Sequence, residues 1–152
     1  MNKRFISLAL FAVVAFTSAE ISHSPMARAS DASAKSVIQA KLLEPLQKKE
    51  ADRSRFSRAV LPPRTRRIRI LESDPQADAK GRSFVPFAID ENRGYGGSQE
   101  VAENSWLKDT ITGCVYPETG EVWVKRGEVY YASSMLLGHQ TPTAPAGVCR
   151  LR

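Results

Sequence analysis

Ile111–Gly138 reads ITGCVYPETGEVWVKRGEVYYASSMLLG, and two β-hairpins are written into it. Pro117-Glu118-Thr119-Gly120 suits a four-residue hairpin loop, because proline presets its φ and glycine accepts a positive one. The loop sets Tyr116 opposite Glu121, Val115 opposite Val122 and Cys114 opposite Trp123. Side chains alternate along a strand. Ile111, Gly113, Val115, Val122 and Val124 therefore share one face, and Cys114, Tyr116, Trp123 and Lys125 the other. Arg126-Gly127 marks a second turn. A two-residue loop there sets Lys125 against Glu128 and Trp123 against Tyr130, both favourable cross-strand pairs. A three-residue loop ending in Gly127 shifts the register and sends Tyr130 to the opposite face. The cross-strand pairs favour the two-residue loop; arginine at its first position is the feature against it.

Two further strands precede these hairpins. Arg64–Leu71 (RTRRIRIL) alternates, with Ile68 and Ile70 on one side and Arg67 and Arg69 on the other. Ser83–Asp90 (SFVPFAID) contains Pro86, which lacks a ladder donor and so predicts an edge strand or a bulge. Glu72–Gly81 reads as a polar loop, Asn92–Gln99 as a glycine-rich mobile loop, and Val101–Lys108 as a helical turn anchored by Trp106 and Leu107. Ser133–Gly138 is a short strand or a turn of helix. Thr141–Gly147 is a proline-punctuated loop that returns Val148 and Cys149 to the sheet.

Upstream, Ser30–Glu44 has a helical pattern in which Ile38, Leu42 and Leu46 fall on one face. Pro45 kinks that helix or opens a second one running to about Arg58. The second piece is mostly polar, which makes it marginal in water unless it orders against something. Leu61-Pro62-Pro63 ends it as an extended spacer. At the start, Met1-Asn2-Lys3-Arg4 and the apolar run Phe5–Phe16 form the basic and hydrophobic regions of a signal peptide. Thr17-Ser18-Ala19 and Ala27-Arg28-Ala29 are the two small-residue cleavage sites, and the first has the more usual spacing. The expected organisation is a leader over 1–19, with cleavage as late as 29 as the alternative. A helical, Pro/Arg-rich arm over 30–66 and a small β-domain over 67–152 follow.

Export to the periplasm or the medium gives the two cysteines their meaning. Cys114 and Cys149 form an even pair in an oxidising compartment and predict one disulfide. The fold class expected is mainly β, a small antiparallel sheet or partly open barrel closed by that disulfide and preceded by a helical basic arm.

The 152-residue chain carries a net charge of +6, unevenly spread. Nine basic residues against two acids lie between Lys48 and Arg69, whereas Ile70–Arg152 holds eight basic and eleven acidic residues. The basic character therefore belongs to one segment. Arg64, Arg66, Arg67 and Arg69 are the candidate binding residues, since guanidinium groups fork onto carboxylates and phosphates. In an exported protein the expected partner is an acidic protein surface or an anionic envelope polymer; nucleic acid is disfavoured. The competing reading is a solvated linker, or arginines paired with the domain's own acids.

Tyr116, Trp123 and Tyr130 form a possible aromatic patch on the face of Cys114, where core packing against the disulfide is the favoured role. His139 has no sequence neighbour that completes a metal site, and GYGG lacks the pattern of a phosphate-binding loop. No catalytic motif is present. Asp90-Glu91 and Glu118/Glu121 are carboxylate pairs in loops, without the shielding that acid–base chemistry needs. Neither a metal nor a cofactor is expected. The function expected is that of a non-enzymatic exported binding protein of the bacterial envelope. The alternatives are a small secreted enzyme or enzyme inhibitor acting through the 92–99 loop, or an envelope structural subunit docking through Ile38, Leu42 and Leu46.

Overall fold

A computed structural model describes residues 25–56, 64–93 and 106–151. The expected leader, the Pro62-Pro63 spacer and the glycine-rich stretch over 94–99 lie outside the described residues.

One long helical element comes first: α1 (Pro25–Ile38), a π turn (Gln39–Leu43) and α2 (Glu44–Phe56). The wide turn closes with the Glu44 amide donating to the Gln39 carbonyl. Pro45 follows at once. A proline ring clashes with the carbonyl four residues earlier in a regular α-helix, and the extra residue in the π turn makes room for it. The chain is therefore neither broken nor restarted at Pro45.

Six antiparallel strands follow: β1 (Arg64–Ile70), β2 (Gln76–Ala77), β3 (Ser83–Arg93), β4 (Leu107–Tyr116), β5 (Glu121–Arg126) and β6 (Val129–Ala132). The order across the open sheet is β1-β3-β4-β5-β6, and β2 also pairs with β3. A short 3₁₀ helix, Ser133–Leu137, leaves β6. The expected mainly-β class, with a preceding helix and one disulfide, is the class observed.

The first hairpin has the expected register, with Tyr116 opposite Glu121 and Cys114 opposite Trp123. The second does not. Its two-residue loop is Gly127-Glu128, with Arg126 opposite Val129, Lys125 opposite Tyr130 and Trp123 opposite Ala132. Gly127 takes a φ of 61°, the positive value that a tight hairpin wants at its first turn position. Arginine resists that region, so Arg126 stays in the strand. The pairing slips by an even number of residues, so Tyr130 keeps the face of Trp123 although it faces Lys125.

Pro86 does not mark an edge. β3 is central, and Pro86 sits opposite Cys114 of β4. Its carbonyl accepts the Leu71 amide just beyond the end of β1. The missing N–H falls on that same side, where β1 has ended, so the β4 ladder loses nothing. The irregularity lies further on, between Ile89 and Glu91, where β4 carries extra residues and Asp109 takes a φ of 55°. The expected helical turn at Trp106-Leu107 is instead the start of β4.

Each face of the sheet carries its own cluster. Ala34, Ile38, Leu42, Leu43 and Leu46 of the helix pack on Val85, Phe87, Ile89, Val115, Val122 and Val124. On the opposite face Phe84, Tyr116 and Val148 surround the Cys114–Cys149 disulfide, with Trp123 and Tyr130 against them. The half-cystine Cα atoms stand 6.0 Å apart, an ordinary disulfide span.

Candidate functional site

β3 supplies two consecutive buried acids, Asp90 and Glu91, and successive side chains point to opposite faces. β1 runs beside it with Arg66 opposite Glu91 and Arg67 opposite Asp90. Two ion clusters result, one on each face.

On the helix face, the Arg66 side chain is only 3% exposed and lies between Glu50 of α2 and Glu91. Its Nε donates to Glu91 at 3.2 Å and its Nη1 to Glu50 at 3.1 Å. Arg64 approaches the same acids at 3.7 and 3.5 Å. Arg66 thus ties the helix to the sheet. Burial works against its charge, but Glu50 and Glu91 outweigh burial and hold the guanidinium ionised.

On the other face, the fully buried Asp90 accepts Arg67 Nε at 3.0 Å, Arg69 Nη2 at 3.3 Å and the Asp109 amide at 3.1 Å. The bulge in β4 turns that amide toward the carboxylate. Arg67 also lies over the Trp106 ring, 4.5 Å from its centroid, and Arg69 reaches Asp109. Burial pushes the Asp90 carboxyl up; the Asp109 amide and the two guanidinium groups more than reverse this and hold it below the ordinary range. The acids of β3 are therefore shielded, contrary to the loop reading, and Asp90 is shielded as an ion. A carboxyl held low is a poor general acid at neutral pH.

A third buried acid escaped the sequence reading. Asp78 lies in the segment read as a polar loop, yet it is fully buried. It accepts the Lys80 and Arg82 amides, Arg82 Nε and the Tyr116 hydroxyl. Burial raises its pKa, but the Arg82 amide, the Tyr116 hydroxyl and the remaining donors bring it down to about 2. Tyr116 in turn accepts the Cys149 amide at 3.0 Å. Arg82 lies over the Tyr116 ring and reaches Glu121, which also accepts Trp123 Nε1.

The expected site residues thus have definite places. Arg64, Arg66, Arg67 and Arg69 meet Glu50, Glu91, Asp90 and Asp109, four charges against four. Tyr116 is buried, and Trp123 and Tyr130 are half-buried against the disulfide cluster. His139 is exposed just beyond the 3₁₀ helix. Among the described residues no group of three or more His, Cys, Asp or Glu side chains is placed to hold a metal ion.

Part of the cationic surface beyond these clusters lies on α2, where Lys48, Lys49, Arg53 and Arg55 are close in sequence. Among the described residues Lys48, Arg53 and Arg55 have no carboxylate within ion-pair distance. Two clefts adjoin them. A cleft of about 340 Å³ lies between α2 and β1, with Lys49, Arg53, Arg64, Arg66, Glu50 and Glu91 at its polar wall. A groove of about 480 Å³ lies on the other side of Lys49 and Arg53, between α2 and the 3₁₀ helix. Charge periodicity along α2 could have located this surface, because Lys48, Lys49, Asp52 and Arg53 fall on one helical face. No known family model matches the chain, and neither does any curated protein or solved structure.

Proposed function

We propose that the chain is an exported, non-enzymatic binding protein that meets an anionic partner, an acidic protein surface or envelope polymer, through its helical basic segment. The observation that supports this most is the charge balance. The β1 arginines are matched one for one by the chain's own acids, whereas among the described residues Lys48, Arg53 and Arg55 of α2 have no acid partner. Of the four expected arginines, Arg64 is best placed to join them, being 40% exposed and lining the cleft with Arg53 and Lys49. Export is supported by the basic and apolar start of the sequence and by a disulfide that suits an oxidising compartment. Among the described residues no helix is long and apolar enough to cross a membrane. Cleavage after Ala19 leaves α1 whole, whereas cleavage after Ala29 removes its first turn.

The structural-subunit reading has less support, since Ile38, Leu42 and Leu46 are buried on the chain's own sheet. The test is titration of the exported chain with fluorescein-labelled poly-glutamate at low and high salt. Lys48→Ala/Arg53→Ala/Arg64→Ala is expected to weaken binding about tenfold or more and to flatten its salt dependence, because exposed charges act at Debye-length range. Undiminished binding by the triple variant would remove the reading.

A further inference from the structure

We propose that the groove between α2 and the 3₁₀ helix seats an acidic polypeptide segment carrying an apolar side chain. This rests on the anionic-partner reading and names the partner's chemistry and its place of contact.

Pro45, Lys48, Lys49, Asp52 and Arg53 form one wall, and Leu137 and His139 the other. The wall residues of α2 are spaced by three and four, so they form one continuous helical face. The space of about 480 Å³ is within the range of small binding sites.

Its charge is one-sided. Lys48 and Arg53 are exposed, and among the described residues neither has an acid partner. Lys49 Nζ donates to the Leu136 carbonyl at 3.0 Å, so its charge meets a dipole and not a carboxylate. Asp52 is the one acid at the groove. An anionic segment therefore gains more than it loses there.

Charge alone fits any polyanion, but the apolar residues do not. Pro45 and Leu137 are half-buried and border the groove, and the aliphatic stems of Lys48 and Arg53 extend that apolar surface. A phosphate or sulfate polymer places nothing favourable against Leu137. A peptide with one leucine or valine between acids does. A second copy meeting this groove face to face would bring like charge to like charge.

The groove is also preformed. Leu136 and Leu137 pack on the helix–sheet core from the far side, and the Lys49 bond ties the two walls together. Gly138, with a φ of 88°, turns the chain so closely under Lys49 that a Cβ there would stand 3.4 Å from Nζ. A fixed groove spares a ligand the cost of ordering it.

Fluorescence anisotropy with two labelled hexapeptides tests the proposal. Both consist of aspartate and glutamate around one central residue, leucine in one and serine in the other. The leucine peptide is expected to bind the exported chain about tenfold tighter or more, as burial of that side chain implies. Leu137→Ser is expected to abolish the difference, and Lys48→Glu/Arg53→Glu to abolish binding of both peptides. Equal affinity of the two peptides overturns the proposal while leaving an anionic partner in place. So does loss of binding on Arg64→Ala with none on Lys48→Glu/Arg53→Glu, which moves the site to the polar cleft. Failure of both peptides and of poly-glutamate to bind overturns both readings. The peptide pair on the unaltered chain decides the question even where Leu137→Ser fails to fold.

Discussion

Tyr116 serves the molecule twice. Its ring fills space beside Phe84, 6.0 Å centroid to centroid, and its hydroxyl bridges Asp78 and the Cys149 amide. Tyr116→Phe keeps the ring, strands the buried Cys149 amide and takes one of four donors from Asp78, so it is expected to cost about 1–3 kcal/mol in urea unfolding. Asp78 adds a pH signature. Its folded pKa of about 2 lies below the ordinary carboxylate value, so its ionisation stabilises the fold at higher pH. That contribution fades as pH falls through the unfolded value of about 4 and is gone below about 2. Urea midpoints from neutral pH downward are expected to decline more steeply for the native chain than for Asp78→Asn. Residual decline in the variant reports Asp90, whose shift has the same sign. Nothing local distinguishes Asp78 from the exposed Asp74, four residues earlier. Its burial depends on Tyr116, 38 residues away, and a contact at that range leaves no periodic trace in sequence.

The long helix shows how two constraints meet in one element. Its buried residues Ala34, Ile38, Leu42 and Leu46 recur every four positions. At 3.6 residues per turn, each such step overshoots a straight stripe by about 40°. The wide turn at Gln39–Leu43 takes up that drift and also accommodates Pro45. Deleting Ala40 removes the spare residue and restores a plain α-turn. Pro45 then meets the carbonyl four residues before it, so the deletion is expected to lower the unfolding midpoint, at a cost of about 3 kcal/mol. An unchanged midpoint would show that Pro45 does not require the wide turn. The apolar spacing of this helix was legible in the sequence; the π turn was not, because proline equally signals a kink or a new start. The second hairpin behaves similarly. Two residues were the right loop length, but the positive φ of Gly127 decided which two.

Across the whole molecule, the helix covers one face of the sheet and the disulfide cluster builds the other. Cys114 and Cys149 close a loop across a separation of 35 residues. The chain-entropy estimate for such a loop is about 3–4 kcal/mol. The Cys114→Ser/Cys149→Ser variant is expected to lose about that much stability in urea while keeping the helix–sheet core. A loss near zero would place the holding power in the Asp78–Tyr116–Cys149 network alone. The sequence by itself determined the mainly-β class, the first hairpin and its two faces, the cysteine pair and the basic segment. These follow from period-two alternation, turn chemistry and composition, all read within a few residues. Only the tertiary structure decided where the charges went. Alternation along β1 and β3 is visible locally, but the pairing of Arg66 with Glu91 and Arg67 with Asp90 depends on a register set by distant strands. That register pairs the arginines that looked most available with the chain's own acids, whereas among the described residues Lys48, Arg53 and Arg55 of α2 have no acid partner, because an ion pair is a property of position in space and not of order along the chain.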